Sequence, residues 1–96
     1  MGVEATAYAK ARAQRVYLEH YRKSKLAMLM QDAPGRTIAD RDAWARSHGD
    51  YLELLDGIRA AVEVEELHRL ALKRLEIEVE VWRTQQANER WARDRV

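Results

Sequence analysis

Apolar residues recur every three or four positions along most of the chain, the spacing that places side chains on one face of an α-helix. From Tyr51 onward two such seams lie on nearly opposite sides of a predicted helix over residues 51 to 92. The first seam comprises Tyr51, Leu54, Ile58, Ala61, Glu65, His68, Leu72, Leu75, Val79 and Trp82, and the second Leu67, Leu70, Ile77 and Val81. The apolar residues between Leu75 and Val81 also alternate with glutamates, a strand signal, but a lone strand would have no partner here. The pattern therefore predicts helix throughout.

Two further helices precede this one. Residues 3 to 32 contain no Gly or Pro, and Ala33-Pro34-Gly35 should end the helix that they form. Thr37, followed three residues later by Asp40, predicts the N-cap of a short helix over residues 38 to 48. Gly49 is expected as its C′ residue, with Asp50 opening the third helix. The predicted fold is all-α, a single domain (1–96) built as a long antiparallel helical hairpin with a short connecting helix.

The doubling of apolar seams predicts self-association. On the first helix Val3, Ala7, Tyr17, Tyr21 and Met28 share one face, while Leu18, Leu26 and Leu29 point elsewhere. One neighbouring helix covers a stripe of about 100°, so two stripes call for two neighbours. We therefore expect a homo-oligomer with coiled-coil character, in which Leu67, Leu70, Ile77 and Val81 meet another subunit. Trp44, on the connecting helix, is expected to anchor the closed end of the hairpin.

Composition and charge exclude several classes of protein for this chain. The chain has no cysteine, which excludes disulfides and thiolate chemistry, and no apolar run approaches the roughly 18 residues of a membrane span. A cytoplasmic location is therefore expected. Residues 1 to 26 carry six Lys and Arg against two Glu, whereas residues 50 to 80 carry nine acids against four bases. The basic helix and the acidic helix are expected to attract each other.

Glu65 and His68 interrupt the first seam with the Glu-x-x-His spacing found in di-iron helical bundles. A metal site would also need Glu19, which falls on the side of the first helix opposite Tyr17 and Tyr21. We therefore predict no bound metal or other cofactor. The alternative is a buried polar layer in which the hydroxyl of Tyr17 or Tyr21 satisfies Glu65 and His68, specifying the register of the helices.

A basic side of the first helix, comprising Arg12, Arg15, Arg22 and Lys23, is a candidate for contact with nucleic-acid phosphates. The C-terminal tail adds cations and aromatic residues of the kind that bind single strands, namely Arg83, Arg90, Trp91, Arg93 and Arg95. The competing interpretation is a solvated face that pairs in part with the acids of the third helix.

The connector APGRTIADRDAWARSH and the tail VWRTQQANERWA resemble short, uncharacterised helical proteins of phages and prophages, over about the last two-thirds of the chain. That resemblance implies a small accessory protein, such as one serving phage DNA transactions, and carries over no site residues. No nucleophile–base pairing or phosphate-binding loop is evident, so the prediction is a non-enzyme. We expect a structural or interaction module, with a nucleic-acid-binding accessory protein as the alternative and a metal-binding bundle as the third hypothesis. A protein partner other than a second copy is compatible with the first.

Overall fold

The computed structural model describes residues 2 to 94, which fold into three α-helices and contain no β-strand. Helix α1 spans Gly2–Asp32, α2 spans Ile38–Ser47 and α3 spans Gly49–Asp94. The predicted all-α class is confirmed, including helix through the alternating segment. In that segment Leu75 and Val79 are half-buried while Ile77 and Val81 are exposed. The alternation therefore distributes apolar residues to two sides of one helix.

The break after α1 follows the predicted Pro-Gly signal. Ala33 is buried, and its N–H donates to the carbonyl of Met30. Gly35 lies so close to the start of α2 that an added Cβ would come within 2.6 Å of the Cβ of Asp40. Since real side chains do not approach so closely, glycine is required here by space, and its carbonyl accepts a hydrogen bond from Nε of Arg41 at 2.9 Å.

Thr37 is the N-cap of α2, as predicted. Its backbone is extended, with φ −96° and ψ 158°, and its Oγ1 accepts the N–H of Asp40 at 3.0 Å. This bond satisfies one of the amides that the first turn of a helix leaves without an intrahelical partner.

Replacing Thr37 by alanine is expected to destabilise the protein by about 1 kcal/mol, because the Asp40 amide loses its acceptor. Thr37→Ser, which keeps the hydroxyl, is the matched control and should change stability much less. Urea unfolding followed by circular dichroism measures both. Equal stability of the alanine variant and the parent would show that the cap contributes nothing.

The junction between α2 and α3 differs from the prediction. Gly49 is the first residue of α3 and not a left-handed C′ residue, and no described glycine has a positive φ. His48 makes the turn alone, with extended dihedrals: its N–H donates to Ala45, and its carbonyl accepts the N–H groups of Tyr51 and Leu52. Its Nδ1 also accepts the N–H of Asp50 at 3.0 Å. His48 thus ends one helix and caps the next, which removes the need for a glycine turn.

Helices α1 and α3 lie antiparallel, and α2 closes one end of the hairpin. The molecule measures 86 × 19 × 16 Å. Near the start of α1, Glu4 lies beside Ala71, Leu75 and Glu78 of α3. The remainder of α3, from about Val81 to Asp94, therefore projects past α1 by about 20 Å at 1.5 Å per residue.

Among residues 2 to 94, full burial is confined to the closed end. Tyr51, Leu29 and Ala45 form a cluster there, against which Leu26, Met30 and Trp44 pack while partly exposed. The expected anchoring role of Trp44 is confirmed by this packing. Away from this cluster the two long helices meet through half-buried side chains, so the closed end holds the core of the hairpin.

The first predicted seam of α3 faces α1: every member from Tyr51 to Val79 is buried or half-buried. The face predicted for α1 is wrong. Tyr17 and Tyr21 are exposed and stack on each other, with ring centroids 6.3 Å apart. The positions of α1 that face α3 keep the same three-and-four spacing, and all are half-buried or buried: Glu4, Tyr8, Ala11, Arg15, Leu18, Arg22, Lys25 and Leu29.

Candidate interaction surfaces

A charged triad joins α1 to α3 midway along the hairpin. Arg15 donates from Nε and Nη2 to the two carboxylate oxygens of Glu65, the second bond measuring 3.0 Å. Its Nη1 donates to Oε2 of Glu19 at 3.0 Å. The Glu65 side chain is only 13% exposed, and the planar guanidinium matches its carboxylate with two parallel bonds. The pair therefore fixes both the distance and the register between the two helices.

The same contacts shift the pKa values of Arg15 and Glu65. The hydrogen bonds from Arg15 lower the pKa of Glu65 below its usual value, outweighing the opposing effect of burial. Hydrogen bonds to Glu65 and Glu19 raise the pKa of Arg15 above its already high value. Arg15 and Glu65 are consequently both ionised across the physiological range.

The predicted buried polar layer is half-buried; its α3 residues lie where expected, and its predicted α1 partners are wrong. Glu65 and His68 do lie on the seam facing α1, but Arg15 takes the place expected for Tyr17 or Tyr21. The physical reason is the rotation of α1: its contact face carries arginine and lysine, whose aliphatic stems pack while their charged ends reach the acids of α3. The expected attraction between the basic and acidic helices is confirmed by this pair and by Lys25–Asp50 at 3.7 Å.

His68 approaches α1 at a second polar position. Its Nδ1 lies 3.8 Å from Oε2 of Glu4, too far for a hydrogen bond but close enough for an ion pair when the imidazole is protonated. The same Oε2 is shielded from solvent and accepts no hydrogen bond. Within residues 2 to 94, no three or more His, Asp or Glu side chains are grouped so that they could hold a metal ion. Both oxygens of Glu65, the carboxylate of the Glu-x-x-His motif, are engaged by Arg15.

The four candidate phosphate contacts on α1 do not form one uniform surface. Arg12 and Lys23 are exposed, whereas Arg22 is half-buried and Arg15 is bound to carboxylates. Arg22 and Lys23 border a shallow groove whose wall also includes Glu19. In the tail, Arg83 lies 3.5 Å from Glu80 of the same helix, and Arg95 lies outside the described residues. Cations and carboxylates are therefore interleaved on this side of the molecule.

The outer side of α3 carries the second predicted seam. We call Leu67, Leu70, Ile77 and Val81 the outer stripe; each is between 50% and 67% exposed. Near its C-terminal end the stripe borders a shallow groove formed by Ile77, Val81 and Thr84 and lined also by the charged residues Lys73, Glu76 and Glu80. The outer stripe faces away from α1, since the seam on the opposite side of α3 makes that contact. It is an apolar surface that the chain itself leaves uncovered.

No protein-family model, no curated protein and no solved structure matches this chain. None of the helices within residues 2 to 94 has a stretch with the combined length and apolar character needed to cross a bilayer.

The Arg15–Glu65 pair is the contact that sequence reasoning missed. A signal for it does exist in the chain. Starting from Glu4, the three-and-four spacing runs through Arg15 to Leu29 without a break once charged residues are admitted to the count. Scoring only apolar residues hides this seam, because half of its positions are Glu, Arg or Lys.

Proposed function

We propose that this protein is a non-catalytic helical structural module that acts by associating through the outer stripe of α3. One observation carries the proposal: four large aliphatic side chains stay at least half exposed along a single face of a helix whose opposite face is already paired. Single exposed apolar residues are ordinary, but a row of them at helical spacing is typical of a helix that packs against a partner.

The mode of action follows from the shape. A rod 86 Å long with its apolar surface on one side presents an extended docking face and little concave surface for a substrate. An accessory role, as the resemblance to short helical phage proteins implies, is compatible with this proposal. The partner recognises shape and apolar area along α3, with charged residues along one flank of the stripe selecting its orientation.

Sedimentation equilibrium at tens of micromolar is expected to show a species heavier than the 11.2 kDa chain. Leu70→Glu places a charge in the centre of the outer stripe and should shift the protein to monomer while leaving its helix content unchanged. Val62→Glu is the matched control, since Val62 is also an exposed aliphatic residue of α3 but lies outside the stripe. A well-folded parent that sediments as a monomer contradicts the proposal, as does a Leu70→Glu variant that associates like the parent.

Nucleic-acid binding through Arg12, Arg15, Arg22 and Lys23 is the alternative. Two exposed cations, Arg12 and Lys23, support it, and the engagement of Arg15 with Glu65 weighs against it. Binding to a DNA oligonucleotide that weakens steeply with salt would favour this alternative over the structural role.

A further inference from the structure

The spacing of the outer stripe also passes through two charged positions, and their charges indicate what covers the stripe. Followed along this face of α3, the spacing includes Ala60, Glu63, Leu67, Leu70, Arg74, Ile77 and Val81. Glu63 and Arg74 therefore stand in line with the apolar residues, symmetrically placed about the Leu67–Leu70 pair. Their side chains are 64% and 83% exposed. A partner must place an opposite charge beside each of them or leave a charge facing apolar surface.

We propose that the partner is a second copy of this chain, whose α3 runs antiparallel with its Leu70 beside Leu67 of the first. The inference rests on the proposed function and specifies the partner and its register. Counting outward from that pair, Ile77 of one copy lies beside Ala60 of the other. Between the Leu70–Leu67 contact and the Ile77–Ala60 contact, Arg74 lies beside Glu63 of the second copy. Two-fold symmetry repeats each contact, so Glu63 and Arg74 of both copies are matched, while Val81 of each copy lies beside Asp56 of the other.

The residues flanking the stripe support the same register. On the side that carries Arg59, Glu66, Lys73 and Glu80, the antiparallel arrangement sets Lys73 beside Glu66 of the second copy. It likewise sets Glu80 beside Arg59, and symmetry again doubles both pairs. Charged residues beside an apolar seam are the positions that select partner and orientation in coiled coils.

Other arrangements of two α3 helices either bring like charges together or leave Arg74 without a carboxylate. A parallel pair in register places Arg74 beside Arg74 and Glu63 beside Glu63. Sliding the antiparallel pair by one heptad in one direction sets Glu66 beside Glu80 of the second copy. It also sets the Lys73 residues of the two copies beside each other. Sliding it one heptad in the other direction sets Glu66 beside itself. A two-heptad slide places Arg74 beside Ile77, with no carboxylate opposite it.

The charged side chains that pair between the two copies can give up their present partners within one chain. In the single chain Arg59 pairs with Asp56 and Glu63, Glu66 with Arg69, and Arg74 with Glu78, all along α3 itself. All of these side chains are substantially exposed, and ion pairs of this kind contribute little to stability. Moving a partner from the same helix to the facing helix therefore costs little.

The absence of cysteine makes disulfide trapping a direct test. Ala60→Cys and Ile77→Cys variants are mixed in equal amounts, oxidised briefly, alkylated, and separated by mass under non-reducing conditions. The mixed dimer, cross-linked from position 60 of one copy to position 77 of the other, is expected to dominate over both homodimers. The reason is that residue 60 lies beside residue 77 only in the proposed register. In that register, equivalent positions of the two copies lie about 25 Å apart along the helix axis, too far for a disulfide.

Matched mixtures identify the other arrangements. Ala60→Cys with Thr84→Cys reports the one-heptad slide that sets Glu66 beside Glu80, and Ala60→Cys with Leu70→Cys reports the one-heptad slide in the other direction. Ala60→Cys with Trp91→Cys reports the two-heptad slide; none of the three mixtures should give an enriched mixed product. Enrichment in any of them, homodimers from Ala60→Cys alone, or the three products in random proportion overturns the register. Sedimentation of the same samples under reducing conditions distinguishes failure of the proposed register from failure of the proposed function. Association without the mixed dimer of Ala60→Cys and Ile77→Cys refutes only this inference, whereas absence of association in the parent chain refutes the proposed function as well.

Discussion

Replacing Tyr51 by alanine is expected to destabilise the protein by about 3–5 kcal/mol, the range for removal of a buried aromatic side chain. Tyr51 is 2% exposed and stands in the first turn of α3, where it packs with Leu29 and Ala45 at the closed end of the hairpin. Few other described residues are fully buried, so the surrounding side chains have little means of refilling the cavity. A loss of this size is a large part of the total stability of a chain this small.

Tyr17→Ala is the matched control for this change. It removes the same side chain from a position that is 62% exposed, and it should cost far less. Tyr51→Phe, which keeps the ring, should also stay close to the parent. Thermal unfolding followed by circular dichroism compares the three variants. Similar midpoints for Tyr51→Ala and Tyr17→Ala would show that the closed end is not the core of the fold.

Replacing Arg15 by alanine is expected to lower the thermal midpoint by several degrees. The change leaves the carboxylate of Glu65, 13% exposed, without the two hydrogen bonds that compensate its burial. The matched control is Arg69→Ala, which removes the partner of Glu66. That pair is exposed and lies within one helix, so its loss should have little effect.

The Arg15 effect should also depend on pH in a defined direction. Because Arg15 lowers the pKa of Glu65 in the folded state, the stabilisation is complete above the unfolded pKa of about 4.3. It is lost as pH falls through the lower folded pKa. The midpoints of the parent and Arg15→Ala should therefore differ most near neutral pH and converge in strong acid. A difference that is constant with pH, or no larger than that for Arg69→Ala, would assign the effect of Arg15 to packing alone.

The elements of this fold are predictable because their signals are local. Pro34 and Gly35 end one helix, Thr37 caps the next, and the apolar spacing from Tyr51 defines the face of α3 that meets α1. The boundary at Gly49 was mispredicted because the His48 ring and backbone together cap α3, a role that residue preferences assign to other side chains.

The contact face of α1 was not predictable from hydrophobicity. Arg15 and Lys25 hold positions that a search for apolar seams assigns to the surface, and two exposed tyrosines offered a more hydrophobic alternative. Tyr17 and Tyr21 cover each other by stacking, whereas arginine gains a carboxylate that only the folded hairpin presents. The outer stripe was visible in the sequence for the opposite reason: its residues are aliphatic, and no contact within the chain competes for them.

The projection of α3 past the start of α1 gives the two ends of the rod unequal resistance to local opening. At the closed end, amide protons near Tyr51 are released to solvent only when the hairpin separates. Beyond about Val81 the helix is supported mainly by its own hydrogen bonds, and isolated helices of roughly this length are marginal in water. Hydrogen exchange should therefore accelerate along α3 toward Asp94. Resistance to local unfolding is thus highest at the packed turn and decreases along α3 toward Asp94.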